Sequence, residues 1–165
     1  MCEARDGHPF GVSRMKWDGL KALKSLELPC KSSGLKRTFE VRVEPVGDEP
    51  EWFYYAKCED DAFADDVLAE KVVFGANIKE IQDEYGKLRQ LVHVVNPPEY
   101  RGCGLTAALI LRVWRTSSTR VVSSSRISET RTCQATGVWK SLEAQQLAAY
   151  DPDGDRYYCP KRDTA

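Results

Sequence analysis

The chain has no long hydrophobic run, few histidines and no closely spaced cysteines, and each shortage removes a class of function. No stretch of the 165 residues approaches the roughly 18 apolar residues of a membrane-spanning helix, so no membrane partner is expected. The opening MCEARDGHPF is charged and lacks an apolar centre, so no secretory signal is evident. The two histidines, His8 and His93, lie far apart, and the six cysteines (2, 30, 58, 103, 133 and 159) form no CxxC pair. Zinc ligands usually come in close pairs, so no metal site is expected. With no export signal, the cysteines are expected to be reduced thiols in a cytoplasm. A net charge of −1 argues against a surface built to coat nucleic acid. Basic pairs such as Lys36-Arg37 and Lys161-Arg162 sit near acidic residues and read as solvated surface.

What remains is an ordinary globular composition, 42% hydrophobic and 30% charged, in a length that fits one domain over residues 1–165. Within it, Trp17, Leu20, Leu23 and Leu26 recur every third residue and predict a helix over 16–28. RTFEVRVEPV alternates apolar and charged residues and predicts a strand, and WFYYAKC a second. EDDAFADDVLAEK reads as an acidic helix. KVVFGANIKEI and LRQLVHVV are strands, LTAALILRVWR a helix, and TRVVSSS a short buried strand. SETRTCQATGVWKSLEA is a helix with Ser128 as its N-cap, and QQLAAYDPDGDRYYC is a hairpin turning at Asp151-Pro152-Asp153-Gly154. The sum is an α/β (α+β) domain of about six strands with three or four helices.

The stretch VVNPPEYRGCGLTAALILRVW carries the chemistry. A helix that follows a strand directly presents unpaired backbone N–H groups and a partial positive charge at its first turn. Glycines there let a bulky anion reach the backbone, and an upstream arginine adds a forked donor for phosphate. Arg101, Gly102, Cys103, Gly104, Leu105 and Thr106 therefore read as a pyrophosphate cradle. Neither a GxGxxG fingerprint nor a Walker Gly-Lys-Ser/Thr is present. On these residues alone, a tight turn with no ligand is the competing reading.

PPEYRGCGLTAALI resembles the acyl-CoA-binding motif of the GNAT superfamily of N-acetyltransferases, Arg/Gln-x-x-Gly-x-Gly/Ala. Arg101 and Gly104 match it, and Thr106 departs at the final small position. Residues 70–160 are also similar to small GNAT-like proteins of tailed bacteriophages, whereas residues 1–65 carry no placing motif. The resemblance implies a GNAT-like mixed, mostly antiparallel sheet and acetyl-CoA as co-substrate. It implies pantetheine held by the backbone of Val94 and Val95, and contacts to the coenzyme from Ser124 and Ser125. The acceptor would be an amine on a protein or small molecule, in the cytoplasm, or in the host cytoplasm for a phage protein. A homodimer stays open. His93 is the candidate base, on one strand face with Leu91 and Val95. The family's usual acid is a tyrosine, but Trp139 stands at that position, which leaves Tyr150 as the candidate acid and Tyr157 and Tyr158 as further tyrosines nearby. Cys103 reads as a small filler. The alternative is an inactive GNAT-fold module that binds coenzyme A or a protein partner, acting on host factors if phage-encoded.

Overall fold

The computed structural model describes residues 11–31, 34–59, 70–72, 74–84, 86–97, 100–117, 119–125 and 131–161. The backbone divides into two compact units, one containing Ile78–Val92 and Thr106–Ala165, the other Asp6–Asn77 and His93–Leu105. The elements in order are β1 (Gly11–Ser13), α1 (Arg14–Gly19), β2 (Lys21–Cys30), β3 (Leu35–Pro45), β4 (Glu51–Cys58), β5 (Glu70–Val72), β6 (Phe74–Asp83), β7 (Gly86–Val95), α2 (Leu105–Ser117), β8 (Arg120–Val122), α3 (Cys133–Ala144), β9 (Ala149–Asp151) and β10 (Arg156–Cys159). The fold is α+β. Its main sheet has eight strands in the order β2-β3-β4-β6-β7-β8-β10-β9, and β1 pairs with β5 apart from it.

Eight strands replace the expected six, largely because residues 21–30 form a strand and not a helix. Leu23 pairs with Val41, whereas Leu26 pairs with Phe39, so β2 holds one more residue than β3 over that interval. This bulge explains the misleading spacing. Residues three apart lie on opposite faces of a regular strand, but an extra residue returns them to the same phase. Leu23, Leu26 and Leu28 are accordingly all half-buried. The helical signal survives only as α1, where the Ser13 hydroxyl accepts from the Lys16 amide at 3.2 Å. Its far end is closed by Arg42, which donates to the carbonyls of Trp17 and Leu20, both at 3.2 Å. Val12, Trp17 and Tyr55 form a small buried cluster with Leu20 and Phe53 beside it.

In the other unit, Leu105, Leu109, Ile110 and Val113 follow helical spacing and are buried, giving α2 one apolar face. The Trp114 indole N–H donates to the Pro160 carbonyl at 2.6 Å. Helix α3 starts later than expected: Thr132 is its N-cap, accepting from the Ala135 amide, and Ser128 lies outside the described residues. Trp139 and Leu142, three apart, are its buried residues. The β9–β10 hairpin turns where Asp-Pro-Asp-Gly foretold, with the Asp151 carboxylate accepting from the Asp153 amide at 3.0 Å. The expected acidic helix at 59–71 falls mostly outside the described residues. Among those described, no helix is long and apolar enough to cross a membrane.

Candidate functional site

The cradle is built from three successive pieces of chain. Strand β7 ends at Val95, and Pro97, which has no N–H to donate, follows at once. The chain then tightens: the Tyr100 amide donates to the Pro97 carbonyl at 3.0 Å, and the Cys103 amide to the Tyr100 carbonyl at 3.2 Å. Gly102 and Gly104 both adopt left-handed backbone, with φ of 82° and 72°, and Leu105 starts α2. Only glycine reaches that conformation without steric penalty, so these two positions explain the residue choice. Both are exposed, and a Cβ built on Gly104 would meet nothing within 4 Å. Arg101 between them and Tyr100 is half-buried, while Cys103, Leu105 and Thr106 are buried. The Thr106 side chain is therefore turned inward, away from the open side of the turn. The first-turn amides of α2 lack partners within the helix, as at any helix start, so an exposed, glycine-opened turn can accept anionic oxygens.

Cys103 is not a small filler. It forms a disulfide with Cys30, and the reading of six reduced thiols is overturned at this pair. The two residues are 73 apart in sequence, and no spacing rule pairs them. The Lys31 amide also donates to the Gly102 carbonyl at 3.1 Å, which ties the turn to the end of β2 twice. Tyr100 anchors its other end, edge-on to Phe39 at 5.6 Å and beneath the Arg37 guanidinium at 5.6 Å. Cys58 and Cys159 are free and buried.

Strands β7 and β8 run parallel and pair at Leu88–Arg120, Arg89–Val121 and Gln90–Val122. One residue beyond the last pair, the Ser124 hydroxyl donates to the Leu91 carbonyl at 3.0 Å and receives the Gln90 side-chain N–H at 3.4 Å. A side chain thus carries on where the printed ladder register stops. Ser123 to Ser125 are all buried. Their conformation is held by Arg131, whose side chain is 4% exposed. Arg131 donates to the Ser124 carbonyl at 3.0 Å, the Asp155 carbonyl at 2.8 Å, the Asp155 carboxylate at 3.3 Å and the Thr136 hydroxyl at 3.0 Å. Its guanidinium lies over the Tyr157 ring at 5.1 Å. Asp155, with φ of 49°, also accepts from Tyr150 at 2.7 Å and Ser125 at 3.3 Å. Sequence reading found neither Arg131 nor Asp155. Asp155 looked like part of a turn, and nothing local marks Arg131 as buried.

Of the candidate catalytic residues, His93 is exposed on β7. The face it was expected to share with Leu91 and Val95 does not show as a common burial pattern: Leu91 is buried, Val95 half-buried, and both Val92 and His93 are exposed. Val94 and Val95 are half-buried at the strand end. Tyr150 is exposed on β9, and its phenol pKa is raised, first by the hydrogen bond to the Asp155 carboxylate and then by burial and that carboxylate's charge. It stays protonated near neutrality, with its proton directed at Asp155. Ser124 and Ser125, offered as coenzyme contacts, spend their hydroxyls on Leu91 and Asp155. Trp139 is buried and stacks on Tyr157 with centroids 6.4 Å apart, so it serves packing.

No protein-family model matches the chain, and no curated protein matches it either. The fold and the local geometry of the turn are therefore the ground on which function is argued.

Proposed function

We propose that the chain is an acetyl-CoA-dependent N-acetyltransferase of GNAT type that moves an acetyl group directly from the thioester to an amine. One observation carries the reading: two exposed left-handed glycines open α2, on the connection between the parallel strands β7 and β8. A strand, a glycine turn and a helix leading to a parallel neighbour are the parts that the motif Arg101-Gly102-Cys103-Gly104 calls for in that superfamily.

In this reading the amides of Gly102 to Thr106, with Arg101, take the pyrophosphate, where a helix start and a guanidinium both favour anionic oxygen. The backbone of Val94 and Val95 holds the pantetheine arm as an added strand would be held. The acceptor is an amine, on a protein or a small molecule, which is mostly protonated at neutral pH and must lose a proton before it attacks. His93 takes that proton, directly or through water. The free amine adds to the thioester carbonyl, the tetrahedral centre collapses with cleavage of the C–S bond, and the thiolate takes a proton from Tyr150. The raised pKa of Tyr150 keeps that proton available at neutral pH. A cytoplasmic setting and the kinship with phage-encoded proteins belong to the same proposal.

A second reading, a GNAT-fold module that binds coenzyme A and acts through protein contacts, is favoured by Trp139. It is buried against Tyr157 and has no hydroxyl where the superfamily's acid stands. Incubation with acetyl-CoA and a panel of amines, including lysine peptides, separates the two. Acceptor-dependent release of free coenzyme A supports the transferase, and binding without release supports the module. Absence of binding removes both.

A further inference from the structure

We propose that the Cys30–Cys103 disulfide is a redox latch that fixes the Tyr100–Leu105 turn, so that a thiol reductant switches the turn between a held and a loosened form. The inference about ligand affinity rests on the acyl-CoA reading above; the latch itself does not.

The argument starts from what else holds the turn. Its internal hydrogen bonds are local, from the Tyr100 amide to Pro97 and from the Cys103 amide to Tyr100. The buried ring of Tyr100 secures the entry. The exit, Gly102 to Gly104, is tied to β2 by the disulfide and by the Lys31 to Gly102 hydrogen bond. Both glycines hold φ values that a freed glycine shares with many others, so the crosslink removes more conformational freedom here than between ordinary residues. Both cysteines are 2% exposed, whereas Gly102, Gly104 and Lys31 around them are exposed. Attack on the disulfide therefore needs only a local opening of the turn.

The chemistry balances with a cellular dithiol as the reductant. Its thiolate attacks one Sγ, the S–S bond breaks, and the other Sγ leaves as a thiolate that takes up a proton. The reductant's second thiolate then displaces the first cysteine from the mixed disulfide, so the dithiol ends as a disulfide and both cysteines as thiols. In the loosened form one backbone hydrogen bond remains between the turn's exit and β2. A ligand that needs the amides in place must then re-order the turn on binding.

The test compares oxidised full-length protein, protein reduced with a phosphine, and the double variant Cys30→Ala, Cys103→Ala, with circular dichroism confirming folded secondary structure. Amide exchange at Lys31 and Cys103 should quicken at least ~10-fold on reduction, and the variant should match the reduced protein without reductant. Desulfo-coenzyme A, which has no thiol to exchange with the disulfide, is the binding probe. Its affinity should fall about tenfold on reduction, the effect of re-ordering roughly one residue's backbone. Unchanged exchange at those amides, or alkylation of Cys30 and Cys103 as thiols in the air-oxidised protein, overturns the latch. An exchange difference with no binding by either form supports the latch and overturns the acyl-CoA reading. Binding of equal strength to both forms overturns the control of affinity.

Discussion

Replacing Arg131 with methionine tests the polar network that shapes the chain after β8. The native side chain makes four described hydrogen bonds and is 4% exposed, against 16% for its partner Asp155. Methionine fills much of the volume but leaves the Ser124 and Asp155 carbonyls without that donor. Asp155 loses its counter-charge but keeps Tyr150 and Ser125 as donors, which softens the loss. Breaking a buried ion pair by removing one partner costs roughly 3–5 kcal/mol, and the residual donors place this case near about 3 kcal/mol. For a chain of this size that corresponds to a fall in Tm of roughly 6–12 °C. Urea unfolding of oxidised protein, followed by tryptophan fluorescence, should show the midpoint falling with the slope unchanged. Arg131→Lys keeps the charge but not the fork, and should recover less than half of the loss. A loss below about 1 kcal/mol in the methionine variant would refute the reasoning, since it would mean that the carbonyls find other donors or that the network is open to water.

Three further outcomes follow from named groups. Trp139→Ala removes a fully buried ring stacked on Tyr157 and should lower unfolding free energy by about 3–5 kcal/mol in the same assay. Stability should also fall at alkaline pH. Burial raises the Cys159 thiol from 9.0 to about 12, so above pH 9 the unfolded chain loses a proton that the folded one keeps. The contribution is full below pH 9 and declines as pH rises toward 12, and Cys159→Ala should flatten that slope in guanidinium melts between pH 8 and 11. Tyr55, raised first by burial and then by its hydrogen bond to Glu44, adds a decline that begins above pH 10, and Tyr55→Phe should remove it. Finally, His93→Ala should lower acetyl transfer by about 10²-fold or more while acetyl-CoA binding persists, and full turnover in that variant would remove His93 from the mechanism.

The elements legible in the sequence were those whose local pattern and tertiary setting agree. Strand β7, the glycine turn and α2 were readable because proline, two glycines and a helical apolar face mark successive boundaries within twenty residues. The β9–β10 hairpin was readable because Asp-Pro-Asp-Gly is turn chemistry in its own right. Strand β2 was not, because a bulge converts period-two burial into a spacing of three that imitates a helix. The start of α3 was misplaced because Ser128 and Thr132 are equally good caps by residue type. The Cys30–Cys103 pair and the Arg131 network join residues far apart in sequence, and such pairings are set by topology, which single-sequence patterns do not carry. The candidate cradle was thus foreseen as a turn, but not as a turn braced by a disulfide.

The central claim is that main-chain amides at the opening of α2 grip the diphosphate of an acyl-CoA. Calorimetric titration of acetyl-CoA into the oxidised protein, beside Gly104→Glu and Arg101→Ala, tests it most directly. Gly104→Glu puts a carboxylate on a left-handed backbone where the phosphates would sit, and Arg101→Ala removes the guanidinium. Saturable one-to-one binding to the native chain, lost in the first variant and weakened at least ~10-fold in the second, is the predicted result. Binding of equal strength to all three proteins, or to none, would contradict it.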